Sequence, residues 1–383
     1  MWFKKIYLDN GATTMVDEKA AEAMSKYFNK EFGNASSTHS FGRDAKNALE
    51  NARKVIANSI NADSEEIFFT SGGTESNNWT IKGVAFANKN RGNHIITTKI
   101  EHKCVLNSCK WLETQGFRVT YLNVDKEGFV DLDELKKEIK KETILVSVIH
   151  GNNEIGTVQD LEKIGEICKK NNVYFHTDAC QSYTKTRLDV KKQNLDLVTL
   201  NAHKIHGPKG VGALYIKKGV KIIPMQHGGG QENDMRSGTE NVAGIVGFAE
   251  AVKLAGNKKY TEHMNKLRDK LISEVLQIPN SKLNGATGNN RLCNNANFSF
   301  KGVEGEAIGG YLDQKGIASS TGSACSEASL EPSYVLKAIG LTDEEANGSL
   351  RLTLSRFTTE EEINYVLDVL PGIIKKLKLI SPF

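Results

Sequence analysis

Seven short apolar runs rich in β-branched and aromatic residues recur between residues 67 and 216, at 67–70, 94–98, 119–122, 144–149, 173–176, 197–200 and 211–216. Stretches with apolar residues at helical spacing separate several of them, for example 132–140 and 161–170, and two more, 16–30 and 42–60, precede them. Strands alternating with helices imply a largely parallel sheet covered on both faces. The expected fold is therefore α/β, a large domain built on a mainly parallel seven-stranded sheet and ending near residue 255. A charged helical stretch at 260–276 leads into a second region with strands at 297–300 and 350–354 and helices at 304–314 and 359–377, a smaller α+β domain. The expected division is an N-terminal arm (1–14) lying with the small domain, a large domain (15–255) and a small domain (256–383).

Polar residues interrupt the pattern at a repeated place. Ser71-Gly72-Gly73-Thr74 follows the first run, Glu101-His102 the second, Asn152-Asn153-Glu154 the fourth, Asp178 and Gln181 the fifth, and His203-Lys204 the sixth. In open α/β sheets the ligand binds beyond the carboxyl ends of the strands, so one crevice collects them all.

Composition narrows the classes. With 39% hydrophobic and 25% charged residues the chain reads as soluble and globular. Fifty Lys+Arg against 46 Asp+Glu leave +4, too balanced for nucleic acid or an anionic membrane. No apolar run approaches the roughly 20 residues that span a bilayer, and no signal peptide follows Met1. The six cysteines are scattered without a paired knuckle, which argues against disulfides and structural zinc and for the cytoplasm. His203 and His206 lack a third ligand nearby, so no metal is expected.

The most telling segment is Leu200-Asn201-Ala202-His203-Lys204-Ile205-His206-Gly207-Pro208-Lys209-Gly210. Lysine can condense with an aldehyde, and a desolvated site makes its amine nucleophilic. With Asp178 to pair with a pyridinium nitrogen, this is the minimal equipment for pyridoxal phosphate chemistry. Gly72-Gly73-Thr74 before a helix suits a phosphate, or an ordinary turn capped by Thr74. His102 can stack on a flat ring and shuttle protons, or be satisfied in a loop. Asn153 and Gln181 can bond a ring oxygen or be structural amides. The loop around Arg236-Ser237-Gly238-Thr239 can reach a phosphate or be a solvated connection. Arg351 inside an apolar run needs an anion, either a substrate carboxylate or an internal ion-pair partner. Cys325 sits among small and polar residues with nothing apolar to pack on, the setting of a reactive thiolate.

Assembled, these residues resemble the cysteine desulfurases of the NifS/IscS type, within the class V aminotransferase family of fold type I pyridoxal phosphate enzymes. The likeness runs from Tyr7-Leu8-Asp9-Asn10-Gly11-Ala12-Thr13-Thr14 through Phe32-Gly33-Asn34-Ala35-Ser36-Ser37 and the segments at 70–77, 152–156, 204, 236–239 and 321–326 to Arg356-Phe357-Thr358-Thr359-Glu360. The resemblance implies that Lys204 holds pyridoxal 5'-phosphate, that Asp178 pairs with its ring nitrogen and that His102 covers the ring. It places Asn153 and Gln181 near the phenolic oxygen. Gly73, Thr74, Asn201 and His203 lie at the phosphate, with Thr239 from the second subunit of a homodimer. Arg351 and Asn34 bind the substrate, L-cysteine, and Cys325 accepts its sulfur as a persulfide on the way to an acceptor protein such as an iron–sulfur scaffold. A selenocysteine lyase, another class V enzyme or a non-catalytic sulfur carrier are the alternatives. Asn201 departs from the serine common in the family, and Cys180 is an atypical neighbour for Asp178.

Overall fold

The computed structural model describes residues 5–322 and 331–380. A two-residue strand, β1 (Ile6–Tyr7), and two helices, α1 (Glu18–Asn29) and α2 (Ser40–Ser59), come first. Asp17 is the cap of α1 rather than part of its first turn, accepting from the Lys19 N–H at 2.9 Å.

The main sheet follows, with strands β2 (Ile67–Thr70), β3 (His94–Thr98), β4 (Arg118–Leu122), β5 (Thr143–Ser147), β6 (Tyr174–Asp178), β7 (Leu197–Asn201) and β8 (Gly212–Ile216). Each coincides with an expected run to within two residues. Helices α3 (Gly73–Ala87), α4 (Lys103–Thr114), α5 (Leu132–Glu138) and α6 (Leu161–Lys170) connect them. The seven strands lie in the order β2-β8-β7-β6-β5-β3-β4. Only β8 runs against its neighbours β2 and β7; the other pairs are parallel. The reason is the short link from Asn201 to Gly212, which cannot hold the crossover that a parallel return needs.

Successive strand residues face opposite sides of a sheet. Ile95, Leu145, Leu197 and Leu214 accordingly enter one core with Trp79 and Leu112. Their neighbours Ile96, Val146, Val198 and Tyr215 enter the other, with Ile56 and Phe248. Strands β3, β5, β7 and β8 are buried throughout, whereas the edge strand β4 is mostly half-buried.

After α7 (Val242–Ala255), which packs on α1 and α2, helix α8 (Lys258–Val275) leads to a three-stranded antiparallel sheet in the order β12-β10-β9. Its strands are β9 (Ser281–Leu283), β10 (Asn295–Phe300) and β12 (Ser349–Thr353). Helices α9 (Gly305–Gln314) and α12 (Glu360–Ile380) cover it, with β11 (Ile317–Ala318), α10 (Tyr334–Ala338) and α11 (Asp343–Asn347) between. Its core joins Leu267, Phe298, Ile308, Leu350 and Ile374 to Ile6 and Leu8, and β1 pairs with β11 in parallel. The N-terminal segment is thereby led across to the carboxyl ends of the main sheet.

Candidate active site

One cavity of about 270 Å³ opens at those strand ends and is lined by Gly73, Thr74, His102, Asn153, Asp178, Gln181, Asn201, His203, Lys204 and Arg351. Residues dispersed over almost 280 sequence positions meet because each ends or follows a strand of the same sheet or, for Arg351, lies on β12.

Lys204 stands just beyond β7. Its Nζ donates to the Ala12 carbonyl at 2.6 Å and to that of Gly11, so the N-terminal segment forms part of the wall. Burial, reinforced by the Arg351 guanidinium, pushes the ammonium down to about 8. His203 beside it is pushed down to about 4 by burial and by the Lys204 charge, and its Nδ1 lies 3.2 Å from Thr13 Oγ1. His206 is outside the cavity; its Nδ1 donates to the Met15 carbonyl at 3.0 Å.

Asp178 closes β6. It accepts 2.6 Å and 2.9 Å hydrogen bonds from Asn77 Nδ2 and the Cys180 N–H. Asn77 lies one turn after Gly73 on α3, which puts both on the face toward the cavity. Gly72 caps α3 with φ +147°, a conformation that favours glycine, and no side chain caps the helix. The capped-turn alternative therefore fails: Thr74 lies inside the first turn, and the leading N–H groups lack a side-chain acceptor. A β-carbon at Gly73 would lie 2.6 Å from Cys180 Sγ, so the atypical cysteine packs directly under the helix N-terminus.

His102 caps α4, with the Cys104 N–H donating to its Nδ1 at 3.2 Å. That bond leaves the ring proton of the neutral imidazole on Nε2. Burial pushes its pKa down against the opposing pull of Asp178, which favours the neutral ring. Gln181 Nε2 donates to the Gly11 carbonyl at 2.9 Å. Asn153 Oδ1 and Asn201 Oδ1 are buried without a hydrogen-bond partner among the described residues.

Arg351 is only 1% exposed. Its Nη2 pairs with Asp9 Oδ1 at 3.0 Å and its Nη1 donates to the Asn153 carbonyl at 3.0 Å, while Nε has no partner among the described residues. The ion-pair expectation for this arginine holds, and the same side chain lines the cavity.

Three candidates lie elsewhere. Asn34 is exposed, accepting from the Ser36 N–H at 2.9 Å, and does not line the cavity. Thr239 is also exposed and away from this chain's cavity. Arg236 forms a two-pronged pair with Glu75, Nε to Oε1 at 2.8 Å and Nη2 to Oε2 at 3.1 Å. Cys325 lies outside the described residues. Asn77, Cys104, Asp9 and the Gly11 and Ala12 carbonyls are cavity or partner groups that sequence reasoning did not single out. For Asn77, its spacing of four from Gly73 was the available signal.

An amine with a depressed pKa, a carboxylate and a helix N-terminus around one cavity suit a phosphorylated aromatic aldehyde. Residues 6–366 match the aminotransferase class-V family. The chain is 53% identical over 383 residues to "Cysteine desulfurase IscS" of Dictyoglomus turgidum, covering 99% of this chain and 97% of that one. It is 52% identical over 381 residues to the protein of that name from Methanosarcina thermophila, covering 99% and 94%. A solved "NifS-like protein" superimposes with a TM-score of 0.92 at 40% identity, covering 98% of this chain and all of its own. A structure of "SspA in complex with cysteine" aligns with a TM-score of 0.83 at 36% identity over 93% of this chain and 100% of that one.

Proposed function

The chain belongs to the class-V aminotransferase family, and from that membership we propose that it is a cysteine desulfurase using pyridoxal 5'-phosphate. The observation that carries the reading is the depressed Lys204 amine facing the same cavity as Asp178 and the N-terminus of α3, in a chain half identical to named cysteine desulfurases. The net reaction is L-cysteine plus the Cys325 thiol giving L-alanine plus a Cys325 persulfide. The substrate's C–S bond breaks, an S–S bond forms, and the carbon ends with the proton.

The residues fit the cofactor. Lys204 would hold the aldehyde and Asp178 the ring nitrogen. The N–H groups at Gly73 and Thr74, with His203 and the Nδ2 donor of Asn201, which stands where serine is usual, would hold the phosphate. Thr239, exposed in one chain, would reach the phosphate of a second copy. When bound, the cofactor's protonated ring withdraws electrons from the bonds at the substrate Cα.

Each protein group then has a defined task. Asp178, held by Asn77 and the Cys180 N–H, keeps a carboxylate at the ring nitrogen. The Lys204 amine removes the Cα proton. His102 brings a neutral imidazole whose Nε2–H is its free donor. Arg351 binds the substrate carboxylate with the edge not used by Asp9. Cys325, as a thiolate, attacks the substrate sulfur; its rate follows thiolate fraction and access. The sulfur passes on to an acceptor protein, an iron–sulfur scaffold in our reading. The described cysteines form no disulfide, which suits the cytoplasm.

Two outcomes test these assignments. Arg351→Ala is expected to raise KM for cysteine by about 30–100-fold, the loss of a charged carboxylate contact worth about 2–3 kcal/mol; an unchanged KM removes Arg351 from substrate binding. The second concerns pH. An ammonium titrating at about 8 is about one-tenth neutral amine at pH 7, against less than about 0.1% for an ordinary lysine. Cofactor uptake by the apoprotein, followed by absorbance, should therefore rise nearly tenfold per pH unit from 6 to 7 and flatten above 8. A rise continuing unbroken to pH 10 would contradict a depressed amine.

A further inference from the structure

Glu154 is 1% exposed, lies next to the cavity residue Asn153, and has no task in the chemistry above. Its backbone is tied down on both sides. The Glu154 N–H donates to Asn152 Oδ1 at 2.9 Å, and its carbonyl accepts from Asn295 Nδ2 at 3.2 Å. Its carboxylate does not turn into the cavity's polar set. It accepts a 2.5 Å hydrogen bond from Ser333 Oγ, and a β-carbon built on Gly322 stands 3.6 Å from the same oxygen, Oε2, and 3.9 Å from Ser333 Cβ. Gly322 and Ser333 are the residues on either side of the ten-residue stretch 323–332, which carries Cys325. One carboxylate oxygen thus bonds the downstream stem and faces the open side of Gly322 on the upstream one.

Each stem is also held from its own side. Upstream, Ser320 exchanges backbone hydrogen bonds with Arg351, at 2.6 Å and 3.2 Å, and Ser349 Oγ donates to the Thr321 carbonyl at 2.7 Å. Downstream, Ser333 caps α10, Tyr334 Oη donates to the Glu101 carbonyl at 2.6 Å, and Val335 and Leu336 pack on Ile100, Ile149 and Ile155. Glu154 is where the two sides meet. Covalent geometry makes the meeting point matter: Cys325 is three residues past Gly322, so its Cα stays within about 11 Å of the Gly322 Cα.

Resting on the desulfurase reading, we propose that Glu154 is a positioning residue for sulfur transfer: by bonding Ser333 and lying beside Gly322 it sets the spacing between the stems of the Cys325-bearing segment beside the Arg351 wall of the cavity. It acts on the transfer of sulfur and not on the steps at the cofactor. The carboxylate needs to accept, not to be charged. Burial pushes Glu154 toward its neutral form, against the Ser333 hydrogen bond and the Arg351 charge.

The test uses holoenzyme mixed with L-cysteine in a single turnover, with two signals followed. One is the cysteine-dependent change in cofactor absorbance; the other is persulfide on Cys325, quantified by mass after alkylation. Glu154→Ala is expected to leave the absorbance change within about threefold and to slow persulfide formation by about 10–100-fold, the scale on which misplaced reacting groups act. Glu154→Gln, which keeps an acceptor oxygen for Ser333, should restore the persulfide rate to within about threefold. An unchanged persulfide rate in Glu154→Ala overturns the proposal, as does an equal loss of both signals, which would make Glu154 a support of the whole site. If Glu154→Ala does not fold, Ser333→Ala is judged by the same two signals. The unaltered protein and Cys325→Ala run in parallel: no persulfide on the unaltered protein refutes the desulfurase reading itself, whereas a normal wild-type signal with an unaffected variant refutes only the role of Glu154.

Discussion

Lys204→Ala holoenzyme is expected to show no cysteine-dependent alanine formation above about one part in 10³ of the unaltered rate, and to lose the yellow colour of a lysine-bound cofactor. Two losses combine in this one change. The amine that would capture the aldehyde is gone, and so is the base that takes the Cα proton, a role worth about 10²–10⁴-fold by itself. A neighbouring lysine does not stand in. Lys185 is also pushed down to about 8 by burial, but its Nζ donates to the Gln181 carbonyl at 2.9 Å and to the Lys204 carbonyl at 3.1 Å. It lines the small cavity behind Lys204 and not the one holding Asp178. Turnover within tenfold of normal, measured as alanine by amino-acid analysis, would overturn the assignment of Lys204 and with it the proposed function.

Cys325→Ala is expected to separate cofactor chemistry from sulfur transfer. The variant should bind cofactor normally and still change absorbance on adding cysteine, because Lys204, Asp178, His102 and Arg351 are intact. Sulfide released under reductant should fall below about 10⁻² of normal. The physical ground lies in the two thiols that do line the cavity, Cys104 and Cys180. Burial, with the Asp178 charge, pushes Cys104 up to about 12 and Cys180 well above the ordinary thiol range. At pH 7 a thiol titrating at 12 is about 10⁻⁵ thiolate, against about 3% for a free cysteine, so neither cavity thiol is a competent nucleophile. Cys104 is further held by hydrogen bonds with Asn77 Nδ2 at 3.1 Å and His102 Nδ1 at 3.0 Å. Undiminished sulfide from Cys325→Ala would mean that one of these buried thiols, or none, receives the sulfur.

Much of the architecture was legible without coordinates, for a local reason. A buried strand shows itself over five residues, and runs such as 94–98 and 197–201, rich in β-branched residues, are buried throughout because helices cover both faces of the sheet. Less was legible where the signal is shorter than the pattern it must repeat. Strands β1 and β11 have two residues each and exist only because they pair with one another. Helix α4 was missed although Val105, Cys109 and Leu112 keep helical spacing, since a histidine is its cap and a cysteine fills the middle of its apolar face. The reversal of β8 was readable in principle, from a link too short for a crossover.

By itself, the sequence determined the alternation of strands and helices, the strand ends at which polar residues collect, and the side chains able to do the chemistry: a lysine for an aldehyde, a carboxylate for a ring nitrogen, an arginine for a carboxylate. These depend on periodicities of two and 3.6 residues and on the nature of single side chains, all local. Only the tertiary structure decided the partners. Asn77 meets Asp178 across 101 positions, Ser333 meets Glu154 across 179, and Arg351 meets Asp9 across 342. It also decided that Arg236 is spent on Glu75 and that the Lys204 amine is shifted. Such pairings are set by strand order and register, and such shifts by how much water the rest of the chain excludes; neither quantity is carried by any short stretch of residues.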